Sequence, residues 1–237
     1  MNMGPSGAIS IEQTPKLSLV MFALWHLPPA ELDILRYPER AGVHSVKIDA
    51  MSGMVERARF VPSPNCDARP SGARPEVLVI HAISLPPGQF GGPGIEQLFC
   101  NTLDASEHPY YAQVEGLRVS SHLFVRRSGD LVQFVPLHLR AWHAGQSQCE
   151  GRPRVNDFSI GIELEGSDDT RFEDAQYAAL AEVTCAVVGA YPVITPARVY
   201  GHSDISPGRK TDPGPYFDWA RFRSSVNDRL AAGAPPR

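Results

Sequence analysis

The chain has no CxxC pair. Its four cysteines, Cys66, Cys100, Cys149 and Cys185, lie far apart. That spacing argues against a thiolate zinc site and against a dithiol redox motif. An even count permits disulfides, but at this low density in 237 residues the expectation is reduced, mostly buried thiols. Reduced thiols point to the cytoplasm. A basic excess is also missing: 22 Lys+Arg stand against 26 Asp+Glu, a formal net charge of −4. Nothing in that balance favours neutralising phosphates, so nucleic acid is not an expected partner. No apolar run approaches the ~20 residues needed to cross a bilayer, so no membrane partner is expected. The most apolar N-terminal stretch, Leu17 to Leu27, follows one lysine, contains His26 and runs into Pro-Pro-Ala-Glu. As a secretory signal it is poorly formed, because no small-residue cleavage site follows. Internal repeats are absent.

What is present suits one sizeable soluble domain. Residues 1–55 lack a clean hydrophobic period and read as a weakly structured N-terminal extension; translation starting at Met51 or Met54 would account for them equally well. The domain proper is expected over 56–230, with a short tail at 231–237. Within it, Glu76 to Ile80 is a short apolar run bounded by turn residues, hence a buried strand that delivers His81 at its end. Leu85 to Gly94 is a loop rich in proline and glycine, and a helix is expected from Ile95 to about Thr102. Ser120 to Arg127 and Leu131 to Pro136 form a hairpin around Ser128-Gly129-Asp130. Ala141 to Gly145 reads as a short strand and Phe158 to Glu165 as another. Apolar residues at helical spacing mark Asp174 to Ala190, and Tyr191-Pro192 stops that helix. A last helix is expected from Phe217 to Ala232. The order implies an α/β fold: a single domain with a mixed central β-sheet flanked by helices.

Three elements carry chemistry. His81 sits where a buried strand feeds a loop, a common position for functional groups. Residues 201–214 pack His202, Asp204, Arg209, Lys210 and Asp212 into a loop stiffened by proline and glycine. Neutral imidazole and carboxylate are zinc donors, and a catalytic zinc uses three protein ligands, so His81, His202 and Asp212 form one candidate set. Asp212-Pro213-Gly214 also reads as an ordinary turn, and Asp204 as a local cap. Glu163 and Glu165 lie two apart on a strand and share a face. One can serve as a general base, although a solvated strand face is the plainer reading. His122 reads as a satisfied interior histidine and Trp142 as core filling or a sugar platform. His143 either orients a cleft residue or bonds backbone.

Several segments carry a more specific signal. They are Val79 to Pro93, Leu117 to Ser120, Arg140 to Gly145, Asn156 to Gly166 and Arg209 to Pro215. From about Val61 to about Val226 the chain resembles the AmpD family of 1,6-anhydro-N-acetylmuramyl-L-alanine amidases, cytoplasmic zinc enzymes of muropeptide recycling. The resemblance implies a fold shared with peptidoglycan recognition proteins and T7-lysozyme-type amidases. It implies zinc (Zn2+) on His81, His202 and Asp212. It selects Glu163 over Glu165 as catalytic acid/base, matches Lys210 to a catalytic lysine, and matches Tyr110, Arg118 and Arg154 to positions lining the substrate cleft. The expected partner is a small muropeptide, bound by a monomer. Two residues depart from the family pattern. Ala82 stands where asparagine is common, which would remove a substrate hydrogen bond. Ser203 replaces a common cysteine, an innocuous change. Two other readings compete: a secreted relative acting on intact wall, and a muropeptide-binding module without catalysis. A secretion signal would favour the first, and loss of the metal ligands would favour the second.

Overall fold

Val, Ile and Leu supply five of the seven residues of Val77–Ile83, and every residue of Ser159–Glu165 is buried, as suits strands covered on both faces. In the computed structural model, which describes residues 46–233, these segments are the centre of a six-stranded sheet. The strands are β1 (Arg59–Phe60), β2 (Val77–Ile83), β3 (Leu123–Val125), β4 (Leu131–Gln133), β5 (Ser159–Glu165) and β6 (Val199–Gly201). Their spatial order is β6-β2-β5-β3-β4-β1. β2 and β5 run parallel, paired from Ser159 opposite Val77 to Glu165 opposite Ile83. β6 joins β2 and β3 joins β5 in parallel, whereas β3 and β4 form an antiparallel hairpin, so the sheet is mixed. The turn of that hairpin closes through Gly129 N–H to Arg126 O and Arg126 N–H to Asp130 O, as the Ser-Gly-Asp sequence predicts.

Among the described residues five α-helices accompany the sheet: α1 (Gly94–Phe99), α2 (Tyr111–Val114), α3 (Asp174–Ala190), α4 (His202–Ile205) and α5 (Trp219–Gly233). α3 has the bounds the sequence predicts. Its start is held by Glu173 N–H donating to Gln176 Oε1 at 3.0 Å, which satisfies one donor at the helix entrance. Leu180, Ala181, Val183 and Val187 of α3 pack with Phe222 and Val226 of α5 against Leu78, Ile80, Ile160 and Ile162 of the sheet. Each such side chain contributes about 1.5–3 kcal/mol on full burial. α1 packs Ile95, Leu98 and Phe99 with Phe124 and Phe134 elsewhere on the sheet. A third cluster gathers Val77, Val79, Val155, Phe158 and Ile205. Alternation along β2 therefore puts Val77, Val79 and His81 on one face and Leu78 and Ile80 on the other.

Residues 46–55 correct the boundary expected at 55. Ile48–Asp49 pairs with Met54–Val55, and Val46 and Val55 are buried in the main core. The order comes from distant partners: Val46 N–H donates to Glu182 Oε1 at 2.9 Å, and Val55 N–H to Gln133 Oε1 at 2.8 Å. Leu17 to Leu27 and the rest of the expected extension through residue 45 lie outside the described residues. α5 runs Trp219–Gly233 where Phe217 to Ala232 was expected, and so crosses the domain bound expected at 230. All four cysteines are free; Cys149 is buried and the other three are half-buried. Among the described residues no helix is long and apolar enough to cross a membrane.

Candidate metal centre

β2 carries His81 to its C-terminal half, and Gly201 at the end of β6 pairs with Ile80 beside it. The next residue, His202, therefore starts α4 next to His81. The loop then returns Asp212, held by Ser203 N–H donating to the Asp212 carbonyl at 2.9 Å. Asp204 is a local cap: its Oδ2 accepts Gly201 N–H at 2.7 Å. Arg209 ties the loop to its neighbour, donating through Nη2 to Ala144 O at 2.7 Å and Ser206 Oγ at 2.8 Å.

The three predicted ligands meet. His81 Nδ1 lies 2.9 Å from His202 Nδ1. Asp212 Oδ2 lies 3.2 Å from the first and 3.1 Å from the second. One donor atom from each of the three falls within a 4.8 Å span. Tetrahedral zinc with bonds of ~2.0–2.1 Å separates its ligand atoms by roughly 3.3 Å, so the spacing fits. The tautomers fit too. His202 Nε2 donates to Ala144 O at 3.2 Å, leaving its Nδ1 lone pair for a cation. Two neutral imidazoles and one carboxylate are zinc chemistry.

Charge states agree with that use. Burial pushes the His81 imidazole down to about 4 against the pull of Asp212, so it is neutral. Burial pushes the Asp212 carboxyl up, but its bonds to His202 and His81 outweigh this and hold it well below the usual carboxylate range. Glu163 is opposite His81 in the β2–β5 register. Burial, and then the Asp212 charge, raise its carboxyl well above the usual range, with Lys210 opposing. Its Oε2 has no hydrogen-bond partner. Lys210 is exposed, and its charge bears on both Glu163 and His81.

Glu165 shares the Glu163 face but is spent on structure. Its two carboxylate oxygens accept Gly91 N–H and Arg127 N–H, joining the Pro/Gly loop to the β3–β4 turn. Tyr110 is half-buried beside the α1 cluster, and Arg118 is exposed, with no partner among the described residues. Arg154 is exposed and pairs with Asp157 at 3.1 Å. Trp142 is half-buried, its indole N–H donating to Asp67 Oδ1 at 3.2 Å. His122 is satisfied inside the sheet: Nδ1 accepts Gly161 N–H at 2.9 Å, and Nε2 donates to Leu139 O at 3.0 Å. Sequence reasoning missed Ser159, whose hydroxyl meets His143, and the clamp made by Arg209.

Comparison with known proteins agrees with this geometry. Residues 71–215 match the family model described as N-acetylmuramoyl-L-alanine amidase. The chain is 57% identical over 175 residues to the 1,6-anhydro-N-acetylmuramyl-L-alanine amidase AmpD of Escherichia coli strain K12, covering 74% of this chain and 95% of that one. It is 49% identical over 178 residues to AmpD of Haemophilus influenzae, covering 75% and 97%. The crystal structure of a Se-Met AmpD derivative superposes with a TM-score of 0.73 at 55% identity, covering 76% of this chain and 98% of that one. The chain therefore belongs to the N-acetylmuramoyl-L-alanine amidase family, as an AmpD-type member.

Proposed function

We propose that the protein is a zinc-dependent enzyme of cell-wall recycling. In this reading it hydrolyses the amide between 1,6-anhydro-N-acetylmuramic acid and L-alanine in small muropeptides, as a cytoplasmic monomer. The observation that carries the reading is the convergence of His81 Nδ1, His202 Nδ1 and Asp212 Oδ2 beside an unpartnered, buried Glu163 carboxyl. AmpD relatives named for the same substrate support it. His81, His202 and Asp212 would hold the ion, which when bound supplies a Lewis acid that polarises the amide carbonyl and makes water more acidic.

The remaining steps belong to the chain. Glu163 takes one proton from the attacking water as the new C–O bond forms. It then delivers that proton to the L-alanine nitrogen as the C–N bond breaks, leaving a free amine and a lactyl carboxylic acid, whose remaining proton passes to solvent. A carboxyl raised by burial suits this shuttle, because its proton affinity lies nearer neutrality than that of an exposed glutamate. The Lys210 ammonium faces the negative charge that develops on the carbonyl oxygen; one such preorganised donor is worth ~3–4 kcal/mol. Arg118 and Arg154, both exposed, are assigned to muropeptide carboxylates, which guanidinium pairs in bidentate fashion. Tyr110 is assigned to the cleft wall.

The substrate claim is tested by rates on anhydro-muramyl tripeptide against macromolecular peptidoglycan. The recycling reading predicts strong preference for the soluble fragment. Equal or faster cleavage of intact wall would assign the chain to wall lysis instead.

A further inference from the structure

His143 is buried next to the metal ligands and has no part in the steps above. Its ring lies over Gly161 of β5, where a Cβ would stand 2.5 Å from the His143 Cγ. The absence of a side chain at 161 is what admits the ring. His143 Nδ1 is 2.9 Å from His81 Nε2, and the two rings meet edge-on at 84° with centroids 5.0 Å apart. On its other side, His143 Nε2 is 3.0 Å from Ser159 Oγ. The backbone N–H groups of His143 and Ala144 both donate to Asn156 Oδ1, at 3.2 and 2.8 Å, which fixes the segment.

Proton counting sets the direction of every bond. A neutral imidazole has one N–H and one lone pair. If His81 offers its Nδ1 lone pair to a cation, its N–H is on Nε2 and must donate toward His143. His143 Nδ1 is then the acceptor, so the His143 proton is on Nε2 and donates to Ser159 Oγ. The other ligand histidine is served by the neighbouring residue, since His202 Nε2 donates to Ala144 O. Residues 143 and 144 thus orient both imidazole ligands, one through a side chain and one through a carbonyl.

We propose that His143 is a positioning residue that locks His81 as its Nε2–H tautomer and aims the Nδ1 lone pair at the metal, with Ser159 fixing His143 and Gly161 making room for it. Partners of this kind around a ligand histidine are commonly worth ~10–100-fold in metal affinity. The proposal rests on the zinc reading above.

The test measures zinc affinity of the full chain by competition with a chromophoric chelator, alongside melting of the metal-free protein and nitrogen-15 NMR of the histidines. His143→Phe fills the space over Gly161 without an acceptor. It should bind zinc ~10–100-fold more weakly while the metal-free protein keeps its melting temperature. His143→Gln, whose amide oxygen can accept from His81, should recover most of the loss. In zinc-loaded wild type, the His143 proton should be on Nε2. Wild-type affinity in His143→Phe, or a proton on His143 Nδ1 in the loaded protein, overturns the proposal while leaving the metal site intact. If His143→Phe does not fold, the glutamine variant and the wild-type spectrum decide alone. A wild type that takes up no zinc overturns the metal reading itself, and this inference with it.

Discussion

Glu163 and His81 occupy paired positions on two neighbouring parallel strands, so an unpartnered carboxyl and a buried imidazole of the candidate metal centre stand side by side. On the proposed function this pairing separates catalysis from metal holding, because Glu163 is not among the three converging donors. Glu163→Gln should therefore keep zinc and lower turnover by ~10²-fold or more. Metal analysis and steady-state rates on one preparation check both halves.

The same substitution has an opposite effect on stability in the metal-free protein. Burial, followed by the Asp212 charge, raises the Glu163 carboxyl above its ordinary value of 4.5. The folded state then holds that proton more tightly than the unfolded state does. The resulting stability is fully present below 4.5 and is lost as pH rises through the folded value. Metal-free Glu163→Gln should accordingly melt above metal-free wild type at neutral pH, with the gap closing toward acid. Thermal scans in chelator across pH read this directly.

Asp67 behaves in the reverse sense. Its bonds from Arg140 hold the carboxyl below its ordinary value of 3.8, with burial opposing. Stability from this pair is present above 3.8 and lost as pH falls through the lower folded value. Arg140→Met should move acid unfolding to higher pH and cost about 1 kcal/mol at neutrality, typical of a partly exposed pair. Trp142, whose indole bonds Asp67, supplies the fluorescence signal.

Arg69 is a half-buried structural cation. Its guanidinium donates to the carbonyls of Leu137, His138, Asn156, Asp157 and Ser159. Arg69→Met would leave these acceptors without their charged donor. We expect a loss of ~3 kcal/mol or more in urea unfolding, since charged hydrogen bonds contribute ~1.5–3 kcal/mol each and buried acceptors are costly to strand. A loss below ~1 kcal/mol would show that water replaces the side chain.

What could be read from sequence was local. The strand ending near His81, the turn at Ser128 to Asp130 and the helix from Asp174 to Ala190 announce themselves through apolar period and turn residues. The candidate ligands His81, His202 and Asp212 became legible because the motifs around them resemble a family, not because spacing demands it. The hairpin at residues 48–55 was missed because its order depends on Gln133 and Glu182, far along the chain. Glu163 and Glu165 look alike on paper. They differ because loop amides from Gly91 and Arg127 reach one and not the other. His143 gains its partners only when sheet register sets Gly161 beneath it and His81 beside it.

The most direct measurement is hydrolysis of anhydro-muramyl tripeptide before chelation, after chelation and after stoichiometric zinc is restored. The account predicts release of free tripeptide, its loss on chelation, and recovery with zinc in wild type but not in His202→Ala. Undiminished hydrolysis by the chelated enzyme, or by His202→Ala, would contradict a centre built from His81, His202 and Asp212.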